Sequence, residues 1–386
     1  MLISIEKLLA IVLVILMFSS NPLWFLWGFN YYIVGACVLF LLTIQISRLN
    51  SINKKNALFA FLYILLFCYF VIIKGFFEFR VSSVLFFVAL LSAFLLKEKE
   101  KVLALDYITK TYAIILGVSF VFWFIHNFLY QIPYKFDLMY GDLWGKAENL
   151  TFYHYIFFIQ PQMDYVRFYS VFDEPGVIGT FSAFILFAQK YNFKKISNVI
   201  ILVASFFSYS LAFYVITFLG MVFIYFYENR IKSILALSTI SLVASTFILS
   251  IESFRLVVLN RFNDFGDSLS RRNGVLSSQF YEEFLNSTNI FFGMPLNFLT
   301  INKQLIDGQS YKFFIIEYGV VGVFLICLIY LFFAIRSKSV FSIVLFLIFL
   351  ISFVQRPFLF TPWQIILFVL ICSYFSKSEN SKLVSK

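Results

Sequence analysis

The sequence predicts an all-α, polytopic integral membrane protein: a single domain over residues 1–386, with about 12 transmembrane helices and two large outer loops. Three observations carry that prediction. The 386 residues are 61% hydrophobic and only 13% charged, against about 45–50% and about 25% in soluble domains. The apolar residues fall into long runs separated by charged breaks. The basic residues sort to one side of those runs, as the positive-inside rule requires. Soluble enzymes, secreted disulfide scaffolds and disordered regulators are excluded. The net charge of +10 is explained by loop orientation, and no nucleic-acid partner is implied. Cys37, Cys68, Cys327 and Cys372 lie in apolar runs without CxxC spacing and read as small hydrophobes.

A crossing of the hydrocarbon core takes about 20 apolar residues. The runs place spans near 8–20, 23–46, 57–73, 81–96, 111–130, 175–189, 196–209, 212–227, 233–251, 312–335, 339–354 and 358–376. The first run has no small-residue cleavage site after it and is kept as a span. The stretch 196–227 has basic residues outside both ends, so two short helices turning at Ser208-Tyr209-Ser210 satisfy the charge rule where one span does not. With both termini cytoplasmic, 18 of the 30 basic residues face inward, giving +12 inside and −2 outside.

Two outer segments, 131–174 and 252–311, are too long for connectors and too aromatic for disorder. The first ends in Arg167-Phe-Tyr-Ser-Val-Phe-Asp173-Glu174-Pro175-Gly176 and runs into an apolar helix. Proline needs no N–H partner at the first helical position, and an acid ahead of it complements the positive helix end. Asp173 and Glu174 are therefore caps or site carboxylates, with Arg167 seven residues upstream. The second segment carries Arg255, Arg261, Arg271 and Arg272. After them Leu276, Phe280 and Phe284 form a stripe at a spacing of four, that of an amphipathic helix lying on the membrane surface, with Glu282 and Glu283 off the stripe.

Seven of ten arginines face outward, but only five of twenty lysines. A guanidinium binds phosphate as a planar fork and stays charged. An outward arginine cluster at headgroup level suits a pyrophosphate-bearing lipid. Glu317, about two turns into a span, is a functional candidate because a carboxylate there is costly unless paired. Gly319 and Gly322 are expected at close-packed helix contacts. His126 and His154 are isolated from other ligand types, so neither a metal nor a cofactor is predicted.

The order of these elements resembles the bacterial O-antigen and capsular polysaccharide polymerases (Wzy-type), relatives of the O-antigen ligases. The resemblance rests on Arg167 through Pro175 and Gly176, on Asn289-Ile-Phe-Phe-Gly293, and on the Tyr-x5-Glu-x-Gly-x-x-Gly helix from Tyr311 to Gly322. It covers most of 111–335 and implies a GT-C-like membrane glycosyltransferase. It further implies transfer of a glycan from undecaprenyl pyrophosphate to a sugar hydroxyl of a lipid-linked repeat unit, on the outer face of the bacterial inner membrane. Arg167, Glu174, Arg271 and Arg272 would be catalytic; Arg255, Arg261, Asp173, Tyr311 and Glu317 would bind substrate. A chain-length regulator and a flippase are the implied partners. The ligases usually carry a histidine before the last helix, where this chain has Gln309 and Ser310. A ligase and a lipid-linked oligosaccharide flippase are the alternative readings. Flippases keep their charges in a cavity within the spans, whereas here they concentrate in two outer segments.

Overall fold

The computed structural model describes residues 4–20, 23–26, 29–48, 52–75, 81–139, 151–161, 167–228, 238–239, 278–295, 298–302, 311–355 and 362–384. It is mainly helical and divides into two compact units, residues 1–22, 28–108 and 271–386 in one, 23–27 and 109–270 in the other.

The first unit is built on α1 (Ile5–Ser20), α2 (Asn30–Ser47), α3 (Lys54–Lys74), α4 (Val81–Leu95) and the start of α5 (Glu98–Phe124). Asn53 caps α3 by accepting the Lys55 N–H at 2.9 Å, which satisfies one of the donors left unpaired at a helix start. Later in the chain come α9 (Ser278–Leu285), α10 (Asn289–Phe292), α11 (Phe298–Ile301), α12 (Tyr311–Arg336), α13 (Val340–Gln355) and α14 (Pro362–Val384). Aromatic rings fill the contacts. Phe59 meets Phe333 edge-on at 4.5 Å, and Tyr330 meets Phe349 and Phe368 at 5.3 and 5.4 Å.

The second unit holds the rest of α5, which ends in a π-helical turn at Ile125–Leu129, then α6 (Pro175–Ala188), α7 (Ile196–Phe206) and α8 (Leu211–Glu228). Every residue of α6 is buried, as expected of a helix apolar on all sides. The two short helices with a turn at Ser208–Ser210 are present as the charge pattern requires.

Two expectations change. Among the described residues, four helices are long and apolar enough to cross a membrane: Asn30–Ser47, Lys54–Lys74, Glu98–Leu129 and Tyr311–Arg336. The 14-residue α6 reaches only about 21 Å of a core about 30 Å thick, and α7 is shorter still. The run 233–251 lies almost wholly outside the described residues. The chain is also not purely helical. Within 131–174 there is a three-stranded antiparallel sheet, β1 (Phe136–Met139), β2 (Thr151–His154) and β3 (Ile159–Pro161), pairing Phe136 with His154 and His154 with Ile159. The β-branched and aromatic alternation of Thr151-Phe-Tyr-His154 was the signal for it.

His154 is 2% exposed, within this sheet. Burial, with a smaller contribution from Lys135, holds its pKa down at about 4. A histidine buried neutral binds a proton in the unfolded chain first, so stability is full above pH about 6.5 and falls as pH drops toward 4. Thermal unfolding of the purified protein should show that decline between pH 6.5 and 4.5, and H154Q should flatten it; an unchanged slope would mean the ring is solvated.

Candidate functional site

The short helix α10 stops at Gly293, whose φ/ψ of 75°/170° lies in a region open almost only to glycine. Its N–H donates to Asn289 O at 2.6 Å, and the next N–H, of Met294, donates to Ile316 O at 2.6 Å. The acceptor sits on α12, which is broken at Gly319 with φ/ψ of 68°/167°, again glycine's region. A break frees carbonyls of the preceding turn, and Ile316 uses its carbonyl to hold Met294.

The two glycines lie backbone to backbone. A Cβ on Gly293 would stand 2.7 Å from Glu317 O and from Gly319 N; a Cβ on Gly319 would stand 2.6 Å from Gly293 N and would also collide with Phe291 O. Apolar cover is supplied by Phe284 and Ile316, both buried, with Phe280, Tyr281, Ile290, Met294, Phe313 and Ile315 around them. Within the chain, the Phe280/Phe284 stripe expected of an amphipathic helix on the membrane surface packs against the first part of α12. Glu282 and Glu283 are exposed on the other side, and Leu276 lies outside the described residues.

Lys74, the last residue of α3, closes the cluster. Its Nζ donates to Met294 O at 2.6 Å, and it interacts electrostatically with Glu317. A charge-assisted hydrogen bond of this kind contributes about 1.5–3 kcal/mol. Glu317 is half-buried beside the break and is compensated by that cation, which removes the cost of a lone carboxylate in a span. Tyr311 opens α12, close enough to Tyr281 to interact with it, and Lys312 Nζ lies 4.5 Å from the Tyr281 ring centre. Gly322 takes the packing role expected of it: the Phe70 ring would stand 2.9 Å from a Cβ there, and Phe70 packs edge-on against Tyr318 at 5.1 Å.

The second unit positions the other candidates. Glu174 is the N-cap residue of α6 with Pro175 after it, and its carbonyl accepts the Val177 N–H at 3.1 Å, while its carboxylate makes no capping bond. Asp173 is half-buried just ahead. Arg167 donates from Nε and Nη2 to Ser208 O at 3.2 and 3.1 Å and reaches Tyr209 O at 3.5 Å. A cation there satisfies carbonyls just past the end of α7 and complements its dipole. Behind it run buried hydroxyls: Ser208 Oγ donates to Ser205 O at 2.6 Å, Ser205 Oγ to Ser182 Oγ at 2.6 Å, and Ser182 meets Tyr112 Oη at 2.9 Å.

No protein-family model, curated protein or solved structure matches this chain. The geometry therefore stands on its own. It brings Tyr311, Glu317 and the Asn289–Gly293 turn into one cluster, sets Asp173 and Glu174 at the entry of α6, and holds Arg167 on the turn after α7. Arg255, Arg261, Arg271 and Arg272 lie outside the described residues, as do Gln309 and Ser310. Sequence reasoning missed Lys74. The signal was available: a single lysine closing a 21-residue apolar helix directly before Gly75, where a cation meets the helix C-terminus. The other omission is the positive φ of Gly293 and Gly319, because glycine in an apolar helix reads equally as close packing.

The glycine geometry separates three substitutions. G319A meets both a glycine-only conformation and a backbone collision, so it should lower the unfolding midpoint by far more than G322A, whose obstacle is a side-chain ring. At Gly35, within α2, nothing lies within 4 Å of an added Cβ, so G35A should be neutral or stabilise by about 0.5–1 kcal/mol. Thermal unfolding of the three variants checks the ranking; equal effects would contradict it.

Proposed function

We propose that this protein is a membrane glycosyltransferase that polymerises undecaprenyl-pyrophosphate-linked oligosaccharide repeat units on the outer face of the bacterial cytoplasmic membrane, with about 12 crossings and both termini inside. The observation that carries the reading is the interlock of Asn289–Gly293 with Glu317–Gly319. Two of the short motifs behind the family resemblance, separate in sequence, are mutually dependent parts of one cluster with a carboxylate and an ammonium at its edge.

The side-sorting of charge supports the topology. Lys74, Met294 and Glu317, all assigned outside or to an outer end, meet at one end of α3. Residues assigned inside, among them Lys55, Arg336 and Lys338, meet at its other end.

In this reading the donor sugar leaves its lipid pyrophosphate as negative charge grows on the phosphates, and fixed guanidinium groups stabilise charge that develops in the transition state. Arg271 and Arg272 fill that role with Arg255 and Arg261 in support. Arg167 acts from the place fixed by Ser208 and Tyr209. Glu174, at the N-terminus of α6, positions an arginine or takes the proton from the acceptor hydroxyl. Tyr311 and Glu317 bind substrate from the cluster around Gly319, and Asp173 does so from the entry of α6. The activated lipid supplies the driving force.

The lipid-linked glycans of a strain lacking the protein test this directly. Single repeat units should accumulate on the lipid, and neither E174A nor the R271A/R272A pair should restore long chains, whereas wild type should. Long lipid-linked chains in the deletion strain would indicate a ligase, and an unaltered polymer would end the assignment.

A further inference from the structure

At the end of α3 opposite Lys74, the first unit contains a second, unassigned site. A half-open cavity of about 410 Å³ is lined by Asn53, Lys55, Glu98, Arg336, Ser337, Lys338 and Ser376, within the size range of small-ligand sites. Its cations come from separate places in the chain: Lys55 from the first turn of α3, Arg336 from the end of α12, and Lys338 from the turn into α13. Lys338 has a φ of 58°, and its N–H bonds Ile335 O at 3.0 Å, so this turn has a fixed course.

The acids nearby are already engaged. Glu98, the one acid in the lining, pairs with Lys101 at 3.5 Å, and the Lys101 side chain is fully buried. Glu100, also buried, pairs with Arg48 at 2.7 Å and accepts the Lys97 N–H at 2.9 Å. Among the described residues, no ion pair involves the side chain of Lys55, Arg336 or Lys338. With three cations against Glu98, the cavity lining carries a net +2. Three like charges brought to one concavity repel unless an anion sits between them, and a cleft of one sign concentrates anions of the other. The Ser376 hydroxyl and the Arg336 fork supply directional donors suited to phosphate oxygens.

We propose that this cavity binds a phosphate-bearing anion, on the membrane face opposite the Lys74–Glu317 cluster. The phosphate comes either from the headgroup of an anionic phospholipid in that leaflet or from a soluble phosphorylated molecule. A basic pocket between helix ends beside the headgroup layer is placed for the first. The site stands independently of the polymerase reading.

The test uses the full chain in neutral detergent, with unfolding midpoints followed during titration with phosphatidylglycerol, phosphatidylcholine or inorganic phosphate. The midpoint should rise with phosphatidylglycerol and not with phosphatidylcholine. A matching rise with inorganic phosphate assigns the site to soluble anions, and its absence assigns it to lipid. Each cation removed should weaken binding about fivefold, so K55Q/R336Q/K338Q should need roughly a hundredfold more ligand. Should the triple variant unfold without ligand, K338Q alone, at an exposed position, gives the fivefold readout. A rise that survives these substitutions, an equal rise with phosphatidylcholine, or no rise with either anion overturns the proposal.

Discussion

The contact between the backbones of Gly293 and Gly319 is the constraint from which the candidate site follows. Neither residue tolerates a side chain, because each occupies a glycine-only conformation and each stands where the other's Cβ would go. Given that contact, the rest is determined in sequence. Met294 must face Ile316, Phe284 and Ile316 must share one small core, and the break at Gly319 leaves Glu317 beside the end of α3. Lys74 then ties the third element in through Met294 O. A kink that costs backbone strain is kept because hydrogen bonds and apolar burial on both sides over-determine it.

The second unit uses the same physics at helix ends. Pro175 starts α6 without a wasted N–H, and Arg167 takes carbonyls just past the end of α7. The hydroxyls of Ser182, Ser205, Ser208 and Tyr112 bond to one another or to backbone carbonyls inside an apolar core, where a polar group without a partner would cost about 1–3 kcal/mol. Ser208 lies at the turn after α7, whereas Ser182 and Tyr112 lie inside their helices and satisfy one another across the core.

Much of this was legible in the residues. Hydropathy and charge located most of the described helices and the turn at Ser208–Ser210. Pro175 announced the start of α6, and the Phe280/Phe284 spacing announced an amphipathic helix. What covers that stripe was not legible, since periodicity reveals a face and not its partner. The bounds of α6 were legible, but whether so short a helix crosses was not, because hydropathy does not distinguish a buried core helix from a crossing one. The sheet in 131–174 was hidden by its short strands of three or four residues. Gly319 was identified as a close contact and Gly293 as a turn residue, but their handedness belongs to φ, which composition does not encode.

Amide hydrogen exchange at Met294 tests the account most directly. Its N–H donates to Ile316 O only while the two glycines are locked together. The lock predicts exchange as slow as in the buried turns of α12, and acceleration to the rate of an exposed turn in G319A. An unmodified protein in which Met294 exchanges as fast as the exposed turn around Thr288 would show that the interlock does not form.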